Sequence, residues 1–275
     1  MNCSPLALKQ CKKCRSCFDK SSLLKIAQAY NRTADKQFKI KTSNRTKEQL
    51  WNDIRNRLYG RCKDDERCWL KQGLDNSNKL SQLDKERFRP KMPDEWKKNK
   101  YTWLSNFDIE KVMDQYELVN NDYIFFGPVP VDCPNGIMCE LTNMNPIKLK
   151  RDNIRKIGII FNLDKHNQPG SHWVALYIDM TKPIHIIDYF DSYAGNPPEL
   201  IRKFILKLHN IFITNNIRSV MIYNDKRHQY GHSECGIYSI FYILNRIDGK
   251  TPYDMSKKLI TDSRMNELRK LYFSI

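Results

Sequence analysis

The sequence predicts an α+β protein in which a small, basic, all-α arm domain with its linker, residues 1–100, precedes a larger domain of mixed strands and helices, residues 101–275. Three observations carry this. Of 275 residues, 40% are hydrophobic and 11% aromatic, enough apolar material for one sizeable core and a small second unit, and too much for wholesale disorder. The formal charge of +16 is uneven, with 26 Lys+Arg against 12 Asp+Glu in residues 1–100 and 21 against 19 thereafter. At Tyr101 the apolar pattern changes from helical spacing to short β-type runs.

In the first hundred residues, Leu23, Ile26, Ala27 and Tyr30 recur at i, i+3, i+4, i+7 and predict a helix near 22–31. A second fits Thr46 to Tyr59: Thr46 with Gln49 three residues on is a capping-box pattern, Leu50, Trp51, Ile54 and Leu58 form the stripe, and Gly60 is expected to end it. Ser77 to Lys100 has few aliphatic residues and carries Pro90 and Pro93, the signature of a linker or an extended arm. Beyond it, Ile109 to Tyr116 is amphipathic. The segments Tyr123 to Phe126, Lys156 to Leu163, Trp173 to Asp179, Ile184 to Phe190 and Arg218 to Tyr223 are rich in β-branched or aromatic residues and bounded by Gly, Pro, Asn or Asp, as strands are. Pro198 to His209 and Cys235 to Ile247 read as helices. The second is apolar on nearly every face, which marks a buried helix.

No run approaches the roughly 20 apolar residues of a membrane span, and MNCSPLALKQCKKC lacks a secretory apolar stretch, so a soluble, unexported protein is expected. Nine cysteines, an odd number, then argue against a disulfide framework. Cys3, Cys11, Cys14 and Cys17 could supply four zinc thiolates, although three cysteines at i, i+3, i+6 can equally line a helix as small hydrophobes. The basic first third suits a polyanion such as nucleic acid, while a mixed-sign basic surface also serves solubility.

Cys235 stands alone in the chain and opens the buried helix. The helix dipole and the unpaired N–H groups of the first turn favour a thiolate there, and Gly236 would let a substrate approach the backbone. A thiol nucleophile needs a base held by a third group. His172 precedes the strand Trp173 to Asp179, at a strand end where an imidazole can face a cleft. Asp191 ends the next strand, and antiparallel pairing of the two would set it beside His172. Asp188 lies three residues earlier and points to the other face, so only one of the two can serve.

His172-Trp173, Tyr189-Phe190-Asp191-Ser192 and Gln229, six residues before Cys235-Gly236, resemble the cysteine proteases that process ubiquitin-like modifiers and the adenovirus maturation protease. The run Ser105-Asn106-Phe107-Asp108-Ile109, with Arg227-His228-Gln229 and Tyr238-Ser239, is most similar to the polyprotein-processing branch found in African swine fever virus. The resemblance covers residues 101–275. It implies a papain-like, adenovirus-protease-like catalytic domain with a central mixed sheet flanked by helices. Cys235 would be the nucleophile, His172 the base and later acid, Asp191 its orienter, and Gln229 with the Cys235 N–H the oxyanion hole. In the swine fever branch the third position is Asn, so Asp191 follows the ubiquitin-like-protease pattern. Trp173, Asn106 and Gly236 would bind substrate, with Trp173 walling a passage that admits only glycines and so implying Gly-Gly-Xaa specificity.

The function so implied is cleavage after Gly-Gly in viral structural polyproteins during virion maturation, by a monomer in host cytoplasm or virion. The rival readings are a deconjugase for a ubiquitin-like modifier and, from another class, a nucleic-acid-binding structural protein with an inactive protease fold. The sequence requires no cofactor and no membrane. Zinc on Cys3, Cys11, Cys14 and Cys17, DNA stimulation, and nucleic-acid binding through the basic arm stand as secondary expectations.

Overall fold

The computed structural model describes residues 2–10, 15–71, 78–99, 101–135 and 139–274. The chain divides into two compact units, Met1–Lys91 with Phe273–Ile275, and Met92–Tyr272. The division falls at Lys91 rather than near 100, because the segment expected to be a linker is in part helical.

The first unit holds α1 (Pro5–Gln10), α2 (Lys20–Thr33), α3 (Lys47–Cys62), α4 (Glu66–Trp69) and α5 (Asn78–Arg87). α3 starts as its sequence predicts: the Thr46 side chain accepts from the Gln49 N–H, and the Gln49 side chain closes the box on the Thr46 N–H. It does not stop at Gly60. The helix continues to Cys62 and ends at Lys63, whose φ of 51° lies in the left-handed region. One interior glycine costs only about 1 kcal/mol, less than is gained by burying Leu58 and Cys62 on the core face. That core gathers Phe18, Leu23, Ile26, Leu50, Ile54 and Trp69, with Phe18 and Phe88 meeting edge to face at 5.2 Å.

Disulfides join Cys3 to Cys17 and Cys62 to Cys68 here, and Cys133 to Cys139 in the second unit. This corrects the expectation of a disulfide-free chain, and it removes Cys3 and Cys17 from the four thiolates considered for zinc. Cys11 and Cys14 lie outside the described residues. No group of His, Cys, Asp and Glu suited to a metal occurs among the described residues. For the two bridges of the first unit the physical reason is size: a unit this small buries a modest core, and local cross-links supply constraint that apolar area does not.

The second unit is built on a five-stranded mixed sheet, β1 (Tyr123–Pro130), β2 (Lys156–Asn162), β3 (Trp173–Asp179), β4 (His185–Phe190) and β5 (Ser219–Tyr223), in the order β1-β2-β3-β4-β5. β1 and β2 run parallel, as do β4 and β5, while β2/β3 and β3/β4 are antiparallel. On one face Val174, Leu176 and Ile178 meet α9 (Glu199–Thr214) through Ile201, Phe204, Ile205 and Phe212. α10 (Cys235–Ile247) packs against β3 from the opposite side. Apolar cover on both faces is why β3 reads as a continuous hydrophobic run. Twelve of the thirteen residues of α10 are buried, as its all-round apolar sequence requires.

Several boundaries move. α7 (Asn106–Glu117) begins three residues before the expected Ile109, because Ser105 and Asp108 form a capping box. α9 extends to Thr214, and the expected linker contains α5 and the short α6 (Glu95–Lys98). Three further helices, α8 (Pro146–Arg151), α11 (Pro252–Ser256) and α12 (Asp262–Tyr272), complete the unit.

Candidate active site

The β3/β4 pairing is antiparallel, with Ala175 opposite Phe190 and Tyr177 opposite Asp188. The start of β3 therefore lies at the end of β4, and His172 Nε2 comes 2.6 Å from Asp191 Oδ1. Asp188 points elsewhere. It is fully buried, accepts from Tyr242 Oη at 2.6 Å and pairs with Arg246 Nη2 at 3.0 Å, so its role is in the core. Burial raises its carboxyl to about 6 against the pull of Arg246.

Asp191 is held by more than the histidine. Its Oδ1 also accepts the Tyr193 N–H at 2.9 Å and its Oδ2 the Gly195 N–H at 3.1 Å. Its backbone is clasped by Asn224, whose Oδ1 accepts the Asp191 N–H and whose Nδ2 donates to the Asp191 carbonyl. A Cβ at Gly195 would stand 2.5 Å from Asp191 Oδ2, so a side chain there would displace the carboxylate.

With Nε2 engaged by Asp191, Nδ1 is the nitrogen left to face Cys235, whose side chain acts electrostatically on the imidazole. Burial of the imidazole disfavours its charged form. The hydrogen bond to Asp191 and the electrostatic pull of Asp191 and Cys235 outweigh this and push His172 up to about 9. His172 is thus charged at neutral pH, an imidazolium beside a thiol of the kind that attacks a carbonyl carbon and ready to protonate a leaving amine.

Cys235 is the first residue of α10 and 2% exposed. Its N–H is one of the four that an α-helix cannot satisfy internally. The loop before it is fixed from several sides. Asp262 Oδ2 accepts the N–H groups of Tyr230 and Gly231, Arg269 Nη2 donates to the Ser233 carbonyl, and Tyr238 Oη donates to Asp262 Oδ1. Gln229, fully buried, accepts the Ser192 hydroxyl at 2.7 Å and donates one amide hydrogen to the Gly231 carbonyl at 3.1 Å, leaving a second to donate. The N–H groups of His228 and Gln229 both reach the Ser192 carbonyl, so the end of β4 and the pre-cysteine loop form one piece.

Trp173 is buried and its Nε1 donates to the Leu104 carbonyl at 3.0 Å. It shares a groove of about 600 Å³ with Trp103, Asn106, Pro128 and Gly170. Gly236 packs against Leu104, which also lines that groove: the space a Cβ would take is filled by the Leu104 side chain, with contacts of 3.1 Å, so the missing side chain serves close packing there. Sequence reasoning missed Tyr193, whose ring stacks on His172 with centroids 4.8 Å apart. Its hydroxyl donates to the Gly231 carbonyl, and the Arg227 guanidinium covers its other face at 5.2 Å. It also missed Trp103, Asn224 and Gly195. Only Tyr193 carried a signal, its place two residues after Asp191.

Residues 144–274 match the Ulp1 protease family, C-terminal catalytic domain. This stretch is similar to a cysteine protease domain of the Ulp1 type. Over 272 residues, 94% of this chain and 89% of the relative, it is 28% identical to a protein of Acanthamoeba polyphaga mimivirus that bears a thiol protease name. It is 27% identical over 74% of its length to a cysteine protease of African swine fever virus, isolate Tick/Malawi/Lil 20-1/1983, covering 77% of that protein. The crystal structure of an African swine fever virus protease has the same fold, with a TM-score of 0.70 at 20% identity, covering 100% of this chain and 96% of that one.

Proposed function

We propose that this protein is a cysteine endopeptidase that cuts after Gly-Gly in viral structural polyproteins during virion maturation, with Cys235, His172 and Asp191 as its triad. The observation that carries this is His172, held at 2.6 Å by Asp191 and near enough to Cys235, at the start of a buried helix, for the two side chains to interact electrostatically. The Cys235 thiolate attacks the scissile carbonyl, and the new oxyanion takes hydrogen bonds from the Cys235 N–H and the free Gln229 amide hydrogen. His172 gives its proton to the leaving amine, then as a neutral base activates the water that hydrolyses the thioester. Trp173 and Asn106, which line one groove, support binding of an extended peptide. The unit comprising residues 1–91 is read as a basic all-α arm that precedes the catalytic domain, and the enzyme as a monomer acting in host cytoplasm or virion. Among the described residues no helix is long and apolar enough to cross a membrane.

A second reading is removal of a ubiquitin-like modifier. It is favoured by the name SUMO-1 cysteine protease, borne by a relative from another African swine fever virus isolate that is 26% identical over 74% of this chain. Intact mass after incubation with a Gly-Gly peptide electrophile, run beside a folded ubiquitin-like probe, separates the two. One adduct with the short peptide, absent from Cys235→Ala, supports polyprotein processing; an adduct confined to the folded probe transfers the assignment to deconjugation. Folded protein unreactive toward both probes, with or without DNA, would overturn both readings.

A further inference from the structure

The first unit, residues 1–91 with 273–275, carries 23 Lys+Arg against 10 Asp+Glu, and its charges are not mixed at random. A cavity of about 950 Å³ in this unit is lined by Arg15, Lys63, Arg67, Lys71 and Lys91 on the positive side and by Asp64, Asp65 and Glu66 on the negative. Every one of the acids is already engaged. Asp64 pairs with Arg55, Asp65 caps α4 by accepting the Arg67 N–H at 3.0 Å, and Glu66 accepts from Trp51 Nε1 and from the Cys17 N–H. Arg67 in turn is held bidentate by Asp84.

Arg15, Lys63, Lys71 and Lys91 form no ion pair with any described residue. Lys71 and Lys91 line the same cavity. The charge of Lys71, followed by burial and Arg67, holds the Lys91 ammonium below its ordinary value. Two ammonium groups on one concave surface, beside a guanidinium fixed in orientation, repel each other, and an anion between them relieves that repulsion. Compact ammonium groups are suited to a phosphate as point charges, and Arg67, whose other N–H groups are taken by Asp84, Ser274 and Arg89, keeps one Nη1 hydrogen for a directed hydrogen bond.

We infer that this cavity is an anion site for a phosphate group, held chiefly by Lys71 and Lys91 with Arg67 behind them, and that it is separate from the protease chemistry. The phosphate can come free, as inorganic pyrophosphate, or as part of a nucleic-acid backbone, which the net charge of the unit would draw in. Titration calorimetry at matched ionic strength tests this on the full chain, comparing wild type, Lys71→Gln/Lys91→Gln, and Lys36→Gln/Lys39→Gln, which alters two exposed lysines of the same unit outside the cavity. The expected result is saturable one-to-one pyrophosphate binding by wild type and by the second variant, weakened at least tenfold in the first. Matching far-ultraviolet circular dichroism spectra and urea midpoints in all three show that each is folded. Displacement of pyrophosphate by a 20-base-pair duplex would identify the backbone as the source, and simultaneous binding of both would identify the free anion. Non-saturable binding by wild type, or equal affinity in the Lys71/Lys91 variant, overturns the inference.

Discussion

At His172 two opposing effects meet, burial and a pair of negative partners, and the partners win. The imidazole stays charged up to about 9, so kcat/KM on a peptide amide should hold from neutral pH and fall near pH 9, where the proton for the leaving amine is lost. In Asp191→Asn the descending limb should shift toward the ordinary histidine value of about 6.5, and kcat at pH 7.5 should drop about tenfold as the imidazolium is depleted. A stopped assay across pH 6–10 reads both. The same shift bears on stability. A histidine pKa raised by folding contributes stability that is fully present below about 6.5 and lost as pH rises through about 9. Urea midpoints of the free enzyme should therefore fall across that window, and His172→Gln should flatten the decline. Gln229→Ala should lower kcat by about 10²–10³-fold while leaving KM nearly unchanged, as removal of a transition-state donor does.

Among the elements, the loop after β4 does more positioning than its length suggests. Asp191, Tyr193 and Gly195 sit within five residues and act on one carboxylate. A Gly195→Ala chain should still fold, yet lose about 10²-fold in kcat because the carboxylate must move. Thermal unfolding beside steady-state kinetics would separate the two effects. Much of this architecture was legible. β3 and α10 run from Trp173 to Asp179 and from Cys235 to Ile247 as expected, because both are covered on several sides and their apolar patterns have no competing reading. The juxtaposition of His172 and Asp191 followed from antiparallel pairing alone. What sequence could not give was set by tertiary contact. Gly60 failed to stop α3 because the core lay beyond it; the place of Tyr193 two residues after Asp191 is a signal for the site but not for its stacking on His172, and nothing in the run of residues announces that Leu104 fills the space over Gly236. The capping box at Ser105 and Asp108 was there to be read and would have placed the start of α7.

For the whole molecule, the cysteines sort by task. Six are cross-linked, and Cys235 is the free thiol among the described residues. Native alkylation followed by peptide mapping should mark Cys235 and spare Cys3, Cys17, Cys62, Cys68, Cys133 and Cys139 until a reductant is added. Reduction should then weaken the first unit by about 2–4 kcal/mol per bridge, seen as a lower urea midpoint in a Cys235→Ala background, where the catalytic thiol takes no part. The first unit also contains residues from both ends of the sequence: Phe273–Ile275 belong to it, and Ser274 donates its N–H to the Pro90 carbonyl at 2.8 Å and receives Arg67 Nη1 on its hydroxyl at 2.7 Å. A ribosome joins residue 274 only after all of Met92–Tyr272 has been translated, so the first unit, begun earlier, is completed later. Maturation from the N-terminus onward cannot finish it, and a chain that stops before residue 273 lacks the Ser274 contacts with Pro90 and Arg67.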